Sequence, residues 1–440
     1  MFRYYLLLGM RSLRRNPALT ALMVLILAIG VAASVSTLTI LHVMSGNPIP
    51  HKSARLLVPL LDVAPLRGYV PGEKSPFANQ STYKDTVNYL RSGQGARRTA
   101  LYEIGGSIQP ARREDPVIDL DGIATTGDFF PMFEIPFRYG QPWSAADDER
   151  EARVAILSRA KSAALFGENT DPVGKHFRMW GADFTVVGVI DTWNPVPRYT
   201  NLINGSGGYF RGENQVFVPF NTAISLEQSS NGSTSCSADS APGWKGFLAS
   251  ECIWITPWFE LASASDRPAL QAWLDNYATD QQRGGRLARK APNQLFDVME
   301  WMEFLEVVRA DNKLAVWLAF GFLLLCVVNT MGLLLAKFST RAAEVGVRRA
   351  LGAGQGAIFR QFLTETAVVG LAGGLLGLAL AFASLWLIGE QSRDLSAVAK
   401  MDWTMLAATF VIAVTAAIVA GLLPTWRACK VSPALQLKSQ

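Results

Sequence analysis

The sequence predicts an α-helical membrane protein with four transmembrane helices plus a mixed α+β extracytoplasmic domain carried on a helical stalk. Three observations lead there. Residues 18–41, 314–336, 367–389 and 403–426 are apolar runs without a single charged side chain, each as long as the roughly 20 helical residues needed to cross a bilayer core. Half of the 440-residue chain is apolar and only 18% is charged, a balance unlike that of an ordinary soluble protein. Finally, residues 47–312 are too many for a loop, and their short β-rich runs alternate with turn clusters and helical stretches.

Residues 1–46 read as a cytoplasmic N-terminal segment and the first span. Arg3, Arg11, Arg14 and Arg15 precede the apolar run with no acid among them. The run is too long for the apolar core of a cleaved signal peptide, so it reads as a retained anchor. Lys and Arg collect on the cytoplasmic side of membrane proteins. Residues 337–365 carry Lys337, Arg341, Arg348, Arg349 and Arg360 against two acids, and the chain beyond the fourth run carries Arg427, Lys430 and Lys438 against none. These segments therefore face the cytoplasm. Because the whole chain is only +5, residues 47–312 are left net acidic and fall on the other side. The basic pI of about 9.0 thus follows from topology and gives no reason to expect nucleic-acid binding.

Within the outer domain, residues 55–63, 153–157 and 184–190 have strand character. Ser158 is placed to cap a helix through Phe166 that Gly167 ends. From about 192 to 250 the composition shifts to Gly, Ser, Asn and Pro, which reads as long loops. Trp244, Phe247, Trp254, Trp258 and Phe259 follow as an aromatic patch, better explained as a small core than as a ligand cage. A helix is expected over 266–282. From Asn293 no Gly or Pro occurs until Gly321, and Leu295, Val298, Met299, Met302, Leu305 and Val308 recur at three- and four-residue steps. That spacing predicts a stalk helix over 293–312 with one apolar stripe, packed on its own domain or on the equivalent helix of a second chain.

Residues 313–440 hold the remaining spans, the segment 337–365 between spans two and three, and a cytoplasmic tail. In that segment Glu344 and Arg348 stand at i and i+4 in the favourable order, and Val347 and Leu351 form an apolar pair on an adjacent face. Gly352 and Gly354 mark the end of the short helix. Composition alone would make its arginines headgroup anchors. Yet Glu344-Val345-Gly346-Val347-Arg348-Arg349-Ala350-Leu351-Gly352-Ala353, then Gln361-Phe362-Leu363-Thr364-Glu365-Thr366, is similar to the hallmark segment of the MacB/FtsX-like ABC transporter permease family. Gly421-Leu422-Leu423-Pro424-Thr425-Trp426-Arg427-Ala428 with Ser432-Pro433 resembles its ending. In order and spacing, Gly127 to Phe133, Val154 to Ser158, Leu165 to Gly167, Pro172 to Lys175 and Val186 to Val189 resemble a MacB-type periplasmic core domain.

The resemblance implies a non-catalytic permease subunit of the bacterial inner membrane, multi-pass, with both termini cytoplasmic and the large domain periplasmic. It implies that Glu344, Val345, Val347, Arg348, Arg349, Leu351 and Gly352 form a coupling helix on a dimer of ABC ATPase subunits, which would bind the ATP and Mg. The other implied partners are a second permease, identical or related, together with a membrane-fusion adaptor and an outer-membrane channel. The expected work is mechanotransmission for efflux or export of a periplasmic substrate. The alternative is an FtsX-like regulatory subunit that activates a cell-wall hydrolase or a signalling partner; the size of the outer domain favours export.

Other chemistries find no support in the sequence. No Gly-x-x-x-x-Gly-Lys-Ser/Thr string occurs, and Gly352-Ala353-Gly354-Gln355-Gly356 lacks the lysine and follows a helix. His42, His51 and His176 have no ligand spacing, so no metal site is expected. Gly-x-Ser-x-Gly is also missing, and Asp147, Asp148, Glu149 and Glu151 read as a solvated loop. Glu365, at the mouth of the third span, is either a functional intramembrane charge or a structural one. Cys236 and Cys252 are the two cysteines placed outside the membrane and are expected to form a disulfide, the alternative being two buried thiols.

Overall fold

The computed structural model describes residues 16–72, 78–109, 118–203, 214–290, 293–391 and 403–429. Arg3, Arg11, Arg14, Arg15, the Gly-rich stretch 204–208 and the Ser432-Pro433 ending lie outside them. The chain forms two compact units, one of Met1–Ser45 with Val308–Gln440 and one of Gly46–Val307.

The second unit is built on an eleven-stranded sheet. Its strands are β1 (Leu56–Leu60), β2 (Ser81–Thr82), β3 (Arg97–Gln109), β4 (Ile118–Thr125), β5 (Phe137–Gly140), β6 (Val154–Ser158), β7 (His176–Met179), β8 (Ala182–Ile190), β9 (Val216–Pro219), β10 (Ile253–Glu260) and β11 (Gln294–Asp297), in the order β11-β1-β10-β3-β4-β9-β6-β8-β5. β4–β9 and β6–β8 are parallel. Because β7 pairs with both β3 and β8, the strands β3-β4-β9-β6-β8-β7 close into a ring. Side chains from all six meet in one core, including Tyr102, Leu120, Leu157, Phe177, Phe184 and Val218. Their sequence neighbours Leu101, Ile156 and Phe217 point the other way into a second core with Phe129, Trp258 and Trp301. This is the period of two that a pleated strand imposes. At Gly122 a Cβ would lie 2.2 Å from the Val216 carbonyl oxygen, so the parallel β4–β9 contact requires glycine there.

Local signals act as the sequence suggests at several points. Ser158 accepts a hydrogen bond from the Lys161 N–H at the start of a helix over Arg159–Phe166, and Gly167 closes it at φ 93°. The expected 266–282 helix is Arg267–Arg283.

Three expectations are corrected. The interval 192–250 is not loops alone, because it supplies β9 to the middle of the sheet and helices Phe220–Ser225 and Gly243–Leu248. The aromatic patch is not one core: Trp244, Phe247 and Trp254 pack together, whereas Trp258 and Phe259 enter two other clusters. The stalk is not one helix either. Leu295 lies in β11, Val298 opens a helix over Val298–Phe304, and Leu305 follows that helix. Asp297 accepts hydrogen bonds from the Met299 and Glu300 N–H groups at 2.9 Å while Glu300 accepts one back from the Asp297 N–H. This capping box starts a new helix in the middle of the apolar stripe. Val298 and Met302 are buried in the domain's own core and Met299 and Leu305 pack against it, whereas Val308 belongs to the other unit.

Among the described residues, that unit contains four helices long and apolar enough to cross a membrane: α1 (Pro17–Ser45), α2 (Ala310–Ser339), α4 (Gln355–Gln391) and α5 (Trp403–Cys429), with the short α3 (Ala342–Ala350) between α2 and α4. Small residues draw α4 close to two neighbours. Gly370 and Gly374 face Ala417 and Ala413 of α5, while Gly373 and Gly377 face Leu27, Ala28 and Val31 of α1. Close backbone approach of this kind is how helices associate where apolar surface alone gives no advantage. Ser34 of α1 donates to the Ala319 carbonyl at 2.9 Å, and Ser36 and Ser384 hydrogen-bond at 2.7 Å.

Candidate functional site

The helix that the sequence marks as special is α3. Its amphipathic pattern divides it sharply. Val345 is buried with Phe338, Ile358 and Phe362, whereas Val347 is 55% and Leu351 83% exposed. Val345, grouped in sequence with the surface-docking residues, is therefore an anchor to the rest of the unit. Arg348 binds Glu344 at 2.5 Å, as the i,i+4 order predicts, and also donates to Gln361 Oε1 of α4 at 3.0 Å. Gly352 takes φ 93°, with its N–H donating to the Arg349 carbonyl and the Ala353 N–H to the Arg348 carbonyl. That paired arrangement is a Schellman stop, and it fixes Leu351 as a projecting apolar end.

Directly behind α3 lies a cluster of buried charges. Glu365, in α4, meets Lys337 Nζ from the last turn of α2 at 2.5 Å and Arg341 Nη1 at 3.2 Å. Lys337 and Glu365 are fully enclosed, and Arg341, just ahead of α3, is largely so. Three consecutive elements are thus tied at one carboxylate. A buried charge is tolerated only when it is paired in this way. Sequence reading found Glu365 but neither partner. The available signal was position: Lys337 follows the second apolar run immediately and Glu365 precedes the third by one residue, which puts both at the same end of adjacent helices.

In the other unit, Cys236 and Cys252 are joined by a disulfide. Ser235 pairs with Ile253 beside it, so the bond pins a Ser/Gly/Asn-rich segment to the start of β10. The acidic run is a correction: Ala145–Glu149 is helical, Asp147 forms a capping box with Ser144, and Asp148 is buried and accepts a hydrogen bond from the Asn221 N–H at 3.0 Å. Burial pushes the Asp148 carboxyl up to about 6, against the opposing Asn221 bond. His51 contacts Glu134 and His176 contacts Thr185. Among the described residues, no group of three His, Cys, Asp or Glu side chains is arranged to hold a metal ion.

Comparison with known proteins places both units. The family model described as MacB-like periplasmic core domain matches residues 20–277, and that described as FtsX-like permease C-terminal matches 316–433. A relative from Pseudomonas savastanoi pv. phaseolicola, the pyoverdine export ATP-binding/permease protein PvdT, is 25% identical over 71% of this chain and 42% of its own. The macrolide export ATP-binding/permease protein MacB of Bdellovibrio bacteriovorus is 22% identical over 79% of this chain and 45% of its own. The chain therefore spans less than half the length of these curated relatives. Among solved structures, the periplasmic region of MacB from Actinobacillus actinomycetemcomitans aligns with 59% of this chain and 95% of that one, at 12% identity and a TM-score of 0.36.

Proposed function

This chain belongs to the MacB/FtsX-like family of ABC-exporter permeases, and we propose that it is the membrane subunit through which ATP hydrolysis elsewhere moves a periplasmic domain to export a periplasmic substrate. It sits in the bacterial inner membrane with both termini cytoplasmic. The 440 residues contain no phosphate-binding loop, so ATP and Mg are held by an ATPase, which we assign to a separate chain. A second permease, an adaptor and an outer-membrane channel complete the machine.

The observation that carries this reading is the exposed Val347–Leu351 edge of α3. It is apolar, rigidly ended by Gly352, and backed by the Lys337–Glu365–Arg341 cluster. An ATPase that grips this edge pulls on α4 through Arg348–Gln361 and on both α2 and α4 through Glu365. α1 and α2 are the helices whose chain continues into the periplasmic unit, so displacement at α3 has a covalent route outward. Fully burying a Leu side chain contributes about 2 kcal/mol. Leu351→Glu is therefore expected to weaken ATPase association by about thirtyfold or more and abolish export while the purified permease keeps its thermal stability. Unchanged co-purification and export in this variant would return α3 to the role of a topology anchor.

A further inference from the structure

The periplasmic unit carries a cleft that the coupling function does not use. Its volume is about 340 Å³, at the small end of the range for small-molecule sites. The walls come from the first residue of the Arg267–Arg283 helix, from β11 with the residue ahead of it, and from the second half of the Val298–Phe304 helix.

The polar groups on these walls are unevenly matched. Arg267, the cationic side chain of the cleft, is already neutralised: it donates to Glu300 Oε2 at 2.6 Å, to Glu300 Oε1 at 3.2 Å and to the Leu295 carbonyl at 2.7 Å. Glu303 has no such partner among the described residues, so one negative charge is left over. Gln294 is the sharper signal. It is 6% exposed, and its Oε1 is enclosed without a hydrogen-bond partner, which is costly for a buried acceptor. Its Nε2 bonds to no described residue either, so a half-turn of the carboxamide sacrifices nothing and can present the oxygen to an occupant. Asn293 gives its Nδ2 to Asp275 at 2.7 Å, and its Oδ1 remains as a third acceptor.

Beside these acceptors stands an aromatic wall. The rings of Phe296 and Phe304 stack with centroids 4.7 Å apart and planes 24° from parallel, and aromatic faces attract cations. A primary ammonium has three donors and no acceptor, the complement of a carboxylate and two amide oxygens. A metal ion fits less well, since among the described residues no three His, Cys, Asp or Glu side chains converge. We infer that this cleft binds an organic ammonium group, with the nitrogen held by Glu303, Gln294 and Asn293 and the carbon skeleton laid against Phe296 and Phe304. The site lies wholly within the periplasmic unit. It stands independently of the export reading, because binding there requires neither an ATPase nor movement of the helices.

The test is calorimetric titration of the full-length chain in micelles with benzylamine, against benzyl alcohol as its neutral counterpart and against empty micelles. Benzylamine should bind saturably and benzyl alcohol at least tenfold more weakly. Glu303→Gln should raise the benzylamine dissociation constant about tenfold, or about 1.4 kcal/mol, whereas Glu306→Gln, exposed and outside the cleft, should leave it unchanged. Gln294→Leu should also weaken binding, with a thermal melt run alongside to show that the unit remains folded. A titration with Nα-acetyl-lysinamide identifies the source of the ammonium: tighter binding than benzylamine points to a lysine of a docking protein, weaker binding to a free amine, and both uphold the site. Equal affinity for benzylamine and benzyl alcohol, an unchanged constant for Glu303→Gln, or no saturable binding of benzylamine would overturn the proposal. None of these readouts involves ATPase association or transport, so the site and the exporter reading stand or fall separately.

Discussion

Removing the carboxylate at position 365 tests how the unit of four helices holds together. Glu365→Gln keeps the size of the side chain and deletes its charge, leaving Lys337 enclosed in protein with no carboxylate at 2.5 Å and removing the carboxylate that stands 3.2 Å from Arg341. At an effective dielectric constant of about 20, unit charges at these separations attract by roughly 7 and 5 kcal/mol. Desolvation of the three groups offsets most of that, and breaking a buried pair from one side typically costs about 3–5 kcal/mol. Glu365→Gln and Lys337→Met are each expected to destabilise the detergent-solubilised protein by about that much. Glu365→Leu combined with Lys337→Met should lose less than the sum of the corresponding single changes by at least ~2 kcal/mol, since the double change removes the stranded charge as well as the attraction. The measurement is reversible unfolding in mixed micelles, read as a double-mutant cycle. Single variants within ~1 kcal/mol of wild type, with additive effects, would refute the argument that these charges are paired in a dry environment.

Three further outcomes follow from the packing and chemistry described. Since the Asp148 carboxyl is pushed up to about 6 by burial, its contribution to stability is present at low pH and is lost as pH rises from about 4 through about 6. The stability of Asp148→Asn relative to wild type should therefore climb by up to ~3 kcal/mol across that window and then level off; a difference independent of pH in denaturant melts at pH 4 to 8 counts against it. Cys236→Ser should cost about 3 kcal/mol, as expected for opening a loop with a sequence separation of 16, and should expose the 229–250 segment to protease, with peptide mapping of the unreduced wild-type protein recovering the two cysteines in one linked fragment. Gly370→Ala places a Cβ 2.0 Å from that of Ala417 and should destabilise the unit by about 1–3 kcal/mol, whereas Gly356→Ala, whose Cβ would meet only Arg360 at 4.0 Å, should be neutral or slightly stabilising by thermal melt.

The division between what sequence determined and what tertiary structure decided follows the range of the forces involved. Membrane spans are written in composition, because transfer of some 20 residues into hydrocarbon depends on each residue's own chemistry. The four runs accordingly reappear as α1, α2, α4 and α5, lengthened at their ends where polar residues continue the hydrogen-bonded ladder. Caps and stops are equally local: Ser158, Gly167 and Gly352 act within a turn of where they stand. The 293–308 stripe is ambiguous because its three- and four-residue steps fit a helix equally well whether or not Asp297 and Glu300 break in to start a new one, and Phe296 and Trp301 lie in a core that the pairing of β11 with β1 places beside them. β9 was hidden for a related reason. Four residues within a Gly- and Asn-rich stretch carry little signal until β4 and β6, far away in sequence, offer edges on both sides. The division of α3 into an anchored Val345 and a projecting Leu351, and the meeting of Lys337, Arg341 and Glu365, depend on how α2 and α4 pack. Sequence supplied the amphipathic pattern and the charges, and only the packed helices determined which apolar side chain is left for a partner and which charges neutralise one another.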